Sequence, residues 1–258
     1  IDGYDAWNAG TALGADHLFN NNTVLGISGG YAYGKVDSNI NNAKTDINSG
    51  QGTVYAGYQD EVYPYYIDAA GTFAWNWYGG KRNITIGSIN RIANADYDGQ
   101  QYGLYIGGGC KILLEDILEL TPTASLRWSH LRLAGYTETG ADSMDLTVKA
   151  QNYDILQSGL GAKLARPMEM GSGVFTPEVH GQWLYDFIGD NMVMTSAFTG
   201  GGASFNSNGA KPAQSSFDVG GKLTFAMSNG VNIIGACDSE IKDGFFAIYG
   251  SMELMYNF

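Results

Sequence analysis

Charged residues make up only 16% of the 258-residue sequence, against about 25% in an ordinary globular domain. Two Cys are too few for a disulfide scaffold, and 14 Lys and Arg against 26 Asp and Glu exclude nucleic-acid phosphate binding as the default function. No apolar stretch approaches the ~18 residues of a membrane-spanning helix, since Ile112 to Leu114 is followed at once by Glu115. A hydrophobic content of 44% in turn excludes a disordered chain.

Glycine and aromatic residues are abundant instead. The chain contains 37 Gly, roughly double the usual share, together with 17 Tyr, 11 Phe and 5 Trp. A membrane β-barrel has this composition, because its apolar side chains occur at every second residue and its mean hydropathy, here -0.15, therefore looks soluble. A secreted β-sandwich would share much of the composition, so the two classes must be separated by pattern.

Alternation of apolar and polar residues dominates the chain. In residues 67–77, Ile67 and Phe73 share one face, whereas Asp68 and Asn76 share the other. Successive side chains of a strand point to opposite faces, so each such run predicts a strand. We predict eleven strands, over residues 7–19, 25–33, 50–59, 67–77, 102–112, 120–128, 156–164, 177–187, 217–225, 231–241 and 246–258.

The connections between these strands alternate in length. Short turns are predicted at 20–22, 59–61, 115–116, 168–172 and 228–230, and longer loops at 37–48, 79–95, 137–143 and 189–212, with a tight connection near Asp243. Short turns at one end and long loops at the other are typical of an up-and-down barrel in the outer membrane, with the turns on the periplasmic side. No linker divides the chain, so we expect one domain over residues 1–258.

The two faces of the predicted strands differ in chemistry. The non-apolar face is rich in Gly and Ala and carries isolated charges of both signs, as the interior of a barrel does. We expect these charged residues to face the lumen: Asp16, Asp68, Lys111, Arg127, Lys163, Glu178, Lys222, Asp238 and Glu253. Aromatic residues such as Trp7, Trp77 and Trp128 lie near strand ends on the apolar face, as an interfacial girdle requires. Cys110 and Cys237 fall on the apolar face of separate strands and are expected to be unpaired.

Two regions of the chain carry a family resemblance. Tyr256 and Phe258 resemble the C-terminal assembly signal of outer-membrane proteins, which the barrel-assembly machinery reads, with Glu253 at the position of its usual glycine. Leu120-Thr121-Pro122, Leu126-Arg127-Trp128 and Gly135-Tyr136-Thr137-Glu138-Thr139-Gly140-Ala141 resemble, in their order and spacing, the autotransporter β-domain family. The similarity covers nearly the whole chain.

The resemblance implies an all-β, antiparallel, twelve-stranded barrel in outer-membrane lipid that secretes a passenger attached to its own N-terminus. It also implies the barrel-assembly machinery and periplasmic chaperones as partners, while the acidic charge balance argues against a nucleic-acid partner. Both ends of such a barrel lie in the periplasm, so its strand number is even. With eleven strands found, we expect the family's first strand, and the helix that plugs its pore, upstream of Ile1.

No catalytic or cofactor motif is found in the sequence, neither Gly-x-Ser-x-Gly nor a P-loop nor His-Glu-x-x-His. His17, His130 and His180 have no second ligand at a metal spacing. We therefore expect no enzyme activity, no cofactor and no metal, and a lumen that conducts an unfolded polypeptide. A general outer-membrane pore, or an adhesin barrel acting through its surface loops, stays open as the alternative. A soluble β-sandwich binding module is disfavoured by the terminal Phe258 and the Gly-rich polar face.

Overall fold

The computed structural model describes residues 3–39, 43–60, 62–115, 117–189, 192–209 and 211–257, and nearly all of them belong to strands. The strands are β1 (Tyr4–Phe19), β2 (Thr23–Ser38), β3 (Lys44–Gln59), β4 (Tyr65–Ile86), β5 (Ile89–Cys110), β6 (Ile112–Leu114), β7 (Leu118–Leu133), β8 (Tyr136–Thr137), β9 (Leu146–Val148), β10 (Gln151–Ala165), β11 (Met168–Met170), β12 (Gly173–Asp186), β13 (Val193–Phe198), β14 (Phe205–Asn208), β15 (Ser215–Met227), β16 (Val231–Lys242) and β17 (Phe245–Tyr256). A 3-10 turn covers Asp142–Met144. In this part of the chain no helix has the length and apolar character needed to cross a membrane.

Eleven strands form one antiparallel sheet in which each strand pairs with the next along the chain. Its order is β1-β2-β3-β4-β5-β7-β10-β12-β15-β16-β17, and the short strands β6 and β11 pair with β7 and β12. The predicted up-and-down order is confirmed, and each of the eleven predicted strands overlaps one strand of this path. In the described residues, β1 and β17 stand at the two ends of the path and are not paired with each other.

Tight turns keep neighbouring strands in register. Asn20 and Asn21, between β1 and β2, have φ values of 50° and 59°, in the left-handed region that Asn tolerates better than most residues. Gly230, between β15 and β16, has a φ of 89°, and an added Cβ there would lie 2.5 Å from the carbonyl oxygen of Asn257. The turns predicted at 20–22 and 228–230 are confirmed, whereas those at 59–61 and 115–116 lie partly outside the described residues.

The loop predicted over 79–95 is wrong. These residues belong to β4 and β5, which run 22 residues each and are joined by a two-residue turn at Gly87 and Ser88, with a φ of 60° at Gly87. Gly-Ser flanked by Ile86 and Ile89 is a signal for a two-residue hairpin turn. This local signal, and packing at the end of the hairpin, outweigh the polar composition that favours a loop.

A second, smaller sheet is built from the connections at 134–150 and 187–214, two regions in which long loops are predicted. Its order is β14-β13-β9-β8. It lies against the extended β4–β5 hairpin, where Asn94 and Thr139 form an isolated bridge. We call this sheet, with the 3-10 turn at Asp142–Met144, the cap.

Burial is distributed in a way that fits a membrane. Ile84, Ala93 and Ala141 form a small buried cluster at the cap, with Met144 packed against it. On the outward face of the main sheet, by contrast, apolar side chains such as Leu13 and Met252 are exposed, at 84% and 87%. A water-soluble protein would bury such a face, whereas a barrel exposes it to lipid.

Candidate functional site: the polar interior

The sheet curves around a cavity of about 650 Å³ lined by residues from β4 to β17. The curvature is visible in contacts between strands that are not neighbours. Lys163 Nζ of β10 lies 5.9 Å from the centre of the Tyr66 ring of β4, although β5 and β7 stand between these strands. We call this space the interior cavity. Six of the nine residues expected in the lumen line it: Asp68, Arg127, Lys163, Glu178, Lys222 and Asp238.

The other three expected residues lie on the same face but nearer the ends of the sheet. The Tyr55 hydroxyl donates to Asp16 Oδ2 at 2.8 Å, passing over Gly26 of the intervening strand. Lys111 lines a second, connected cavity of about 940 Å³ near the short turns. Glu253 pairs in register with Ile234 of β16, on the inward face, and its charge acts on Tyr55 across the interior.

The strongest polar network of the interior joins β12, β15 and β16. Lys222 Nζ lies 3.2 Å from Glu178 Oε2, and Glu178 is only 12% exposed. Glu178 Oε1 lies 3.6 Å from His180 Nδ1, whose ring donates through Nε2 to Asp238 Oδ1 at 2.6 Å. Opposite charges in a partly dry interior stabilise each other more than they would at a water-exposed surface.

Gly220 makes this network possible. In the sheet register it stands between His180 of β12 and Asp238 of β16. An added Cβ at Gly220 would overlap the Asp238 carboxylate and lie 2.6 Å from His180 Nε2. The hydrogen bond between these two residues therefore crosses a strand that has no side chain at that point.

Lys163 and Arg127 are placed more loosely. The charge of Lys163 acts on Asp68, but neither Lys163 nor Arg127 takes part in the ion pairs formed by the described residues. Of the three Lys and Arg residues that line the interior cavity, only Lys222 forms an ion pair with an acidic residue of the described chain. Cations without a fixed partner keep their capacity to bind water or a passing chain.

Three residues with a carboxylate or imidazole side chain line the interior cavity but were missing from the expected set. They are His180, Asp218 and Glu240, all of which share the polar parity of their strands, so the alternation itself was the signal. With them the lining has five carboxylates and three Lys or Arg, and is formally negative. His180, Asp218 and Asp238 have potential ligand atoms within 4.8 Å of one another and could hold a metal ion. Sequence spacing misses this group because each residue comes from a different strand.

A separate, largely buried ion pair joins the segment 135–141 to β4. Arg82 Nε and Nη2 donate to the two carboxylate oxygens of Glu138 at 3.0 and 2.6 Å, and Glu138 is 7% exposed. Glu138 Oε2 also accepts the backbone N–H of Leu146 at 2.8 Å. Hydrogen bonding to Glu138 raises the pKa of the Arg82 guanidinium above its ordinary value. The segment that carries the family resemblance therefore fastens the cap to the β4–β5 hairpin.

The C-terminal residues are placed only in part. Tyr256 ends β17 and is 62% exposed on the outward face, near the short turns. Phe258 lies outside the described residues. Cys110 and Cys237 are free and exposed, as expected.

Comparison with known proteins agrees with this architecture. Residues 1–236 match the family model of the autotransporter beta-domain. Outer membrane protein A of Rickettsia conorii is 29% identical over 272 aligned residues, which cover 100% of this chain and 13% of that protein. Outer membrane protein B of Rickettsia japonica is 24% identical over 100% of this chain and 16% of its own length. The chain thus spans less than a fifth of these relatives.

Solved structures show the same fold. The translocator domain of the autotransporter NalP from Neisseria meningitidis has a TM-score of 0.79 at 14% identity, covering 99% of this chain and 82% of that one. The β-domain of the Bordetella autotransporter BrkA has a TM-score of 0.67 at 18% identity, covering 99% and 92%. With the family model matched over most of its length, the chain belongs to the autotransporter β-domain family and is a translocator domain of the Gram-negative outer membrane.

Proposed function

We propose that the interior cavity is the route by which a passenger segment, carried on the N-terminal side of this domain in the same protein, crosses the outer membrane as an extended chain. The observation that carries this proposal is that the polar and apolar surfaces are exchanged relative to a water-soluble protein. Charged side chains of both signs line the inside, whereas large apolar side chains are exposed outside. In lipid, this leaves the interior as the one polar path.

The size of the interior fits one extended polypeptide. An eight-stranded barrel is filled by its own side chains and a sixteen-stranded porin has an open channel, so a barrel of about twelve strands lies between them. The paired residues Lys222 and Glu178 brace the wall, while Lys163 and Arg127 keep the surface hydrated. Since the sequence has no P-loop, we expect the driving force to come from folding of the passenger outside the cell.

We also propose that the barrel is closed between β1 and β17. All sixteen residues of β1 are exposed, and β1 and β17 each pair with one neighbour in the described residues. Unpaired backbone groups in lipid cost several kcal/mol each. We therefore expect a further strand, from the N-terminal side of the same protein, to pair between β1 and β17.

Assembly would depend on the C-terminal residues. We expect Tyr256 and Phe258 to be read by the barrel-assembly machinery after delivery by periplasmic chaperones. Deleting Phe258 should lower the amount of folded, heat-modifiable barrel while synthesis is unchanged. A normal amount of folded barrel after the deletion would contradict this role.

Photocrosslinking in the full-length protein tests the route. A benzophenone amino acid at Gln157, which lines the interior cavity, should crosslink to a passenger stalled during secretion. The control is Val219, which is 52% exposed on the outward face and should crosslink to lipid or not at all. If a stalled passenger never crosslinks at Gln157, or crosslinks equally at Val219, the interior is not the route, and a pore or adhesin function would be favoured.

A further inference from the structure

An apolar groove runs along the outward face of the sheet, on the side opposite the interior cavity. It exists because outward positions of β3 and β4 are occupied by glycine, at Gly52 and Gly71. Side chains of Val54, Leu104 and Trp128 rise beside them. The groove contains two connected hollows of about 730 and about 570 Å³, and both are lined almost wholly by apolar atoms.

Close packing does not require these two glycines. An added Cβ at Gly71 would meet only Leu104 Cδ2 and Val54 Cγ2, each at 3.7 Å, and one at Gly52 only a backbone oxygen at 4.0 Å. At the interior Gly26, by contrast, an added Cβ would overlap the Tyr55 ring. The outward groove is therefore open space that the sheet could fill with larger side chains.

A polar pocket lies beyond the groove, at the cap end of the same strands. Asp98, Gln100 and Arg132 line this pocket of about 330 Å³. Arg132 pairs in register with Gln100. It lies two residues after His130 and four residues after Trp128, on the same face of β7. It is exposed and takes part in none of the ion pairs that the described residues form.

The carboxylate that contacts the groove residue Trp128 is already bound. Asp154 accepts the Trp128 indole N–H at 3.2 Å and the His130 Nδ1–H at 3.0 Å. It is therefore engaged by two ring donors of the protein. In the polar pocket, Arg132 can donate to an anion and Asp98 can accept from a hydroxyl group. Gln100 Oε1 already accepts the Tyr102 hydroxyl at 3.2 Å, so Gln100 offers its amide N–H groups as donors.

We propose that the polar pocket and the apolar groove together bind a phosphorylated glycolipid of the outer leaflet. The phosphate lies at the Arg132 guanidinium, sugar hydroxyls bond to Asp98 and Gln100, and one acyl chain occupies the groove beside Gly71. From Arg132 to Leu126 is six residues, or about 20 Å at the rise of a strand, which matches a head group plus the ~15 Å apolar half of a bilayer. A guanidinium suits phosphate because its N–H groups form a planar fork.

Lipid carried through purification tests the site. The full-length protein is extracted in mild detergent, and 3-hydroxy fatty acids, which report glycolipid, are measured per protein beside glycerophospholipid phosphate. Arg132→Gln, which removes the charge, should lower the retained glycolipid about tenfold, the order expected for one charged contact. Gly71→Leu, which fills the groove and leaves no room for the acyl chain, should also lower it. Gly52→Leu serves as a second groove variant if the first fails to fold, as judged by heat-modifiable migration.

The matched control is Gly235→Leu. Gly235 also faces outward, on β16, and an added Cβ there has no atom within 4 Å, but it lies outside the groove. This variant should retain glycolipid at the wild-type level. Equal retention in all folded variants, a loss that is the same for Gly235→Leu, or retention of glycerophospholipid alone would overturn the proposal.

Discussion

The ion pair of Arg82 and Glu138 offers the sharpest test of what holds the cap in place. Glu138 is 7% exposed, and it accepts two N–H groups of Arg82 and one backbone N–H, of Leu146. The substitution Glu138→Gln keeps the shape of the side chain but removes its charge. One of the two acceptor oxygens of the carboxylate is replaced by an NH₂ group. Its N–H donors then face the N–H donors of Arg82 or Leu146, so a hydrogen bond is lost.

The expected cost follows from burial. Breaking a fully buried ion pair costs about 3–5 kcal/mol, and because Arg82 is 30% exposed we expect about 2–4 kcal/mol for opening the cap. The cap also contains a matched surface pair, in which Arg91 Nη1 lies 2.7 Å from Asp142 Oδ2 and the Asp142 side chain is 78% exposed. Asp142→Asn should therefore cost less than about 1 kcal/mol.

Hydrogen exchange measures the difference directly. In the folded protein in detergent, the backbone N–H of Thr139 donates to the Asn94 carbonyl at 2.9 Å, a bond that neither substitution touches. Its exchange should accelerate about 30- to 800-fold in Glu138→Gln and less than about fivefold in Asp142→Asn. Exchange of the mid-sheet strands should not change in either variant.

Equal exchange rates in the two variants would show that the ion pair of Arg82 and Glu138 does not hold the cap. Faster exchange throughout β7 and β10 in Glu138→Gln would show that the ion pair stabilises the whole barrel and not the cap. A thermal unfolding scan alone would not separate these cases, since a barrel can melt as a unit after the cap has opened.

Two further predictions concern the interior and the turns. Gly220→Ala should break the hydrogen bond between His180 and Asp238 and lower the temperature of heat modification by several degrees, the size expected for about 1–3 kcal/mol. Gly235→Ala, which has open space around it, should leave that temperature unchanged. Equal shifts in the two variants would refute the role of Gly220. Hydrogen bonds from backbone N–H groups, first that of Tyr63, hold the pKa of Asp60 below its ordinary value of 3.8. The Asp60 carboxylate therefore stabilises its turn above pH 3.8, and this stabilisation is lost as the pH falls through the lower pKa of the folded state. The protection factor of the Tyr63 amide should fall as Asp60 becomes protonated, and should lose this pH dependence in Asp60→Asn. The same pH dependence in the wild type and in Asp60→Asn would contradict this.

The sequence by itself determined the strands, their order and the two faces. A strand's side chains alternate strictly, so lumen residues such as Asp68 and Lys222 could be assigned by parity without knowing their neighbours. Up-and-down order was predicted because short turns alternate with longer loops along the chain, as in an outer-membrane barrel. The family resemblance added the passenger, which alternation alone does not specify.

Only the tertiary structure decided which interior residues meet. His180 and Asp238 are 58 residues apart and bond across Gly220 because the register of three strands places them on one line. The cap was equally hidden, since Arg82 and Glu138 lie in two regions whose composition favours loops, and only packing between them makes both ordered. Parity is a local property of one strand, whereas register and loop packing depend on residues far apart in the chain, which is why alternation could assign the faces but not the contacts.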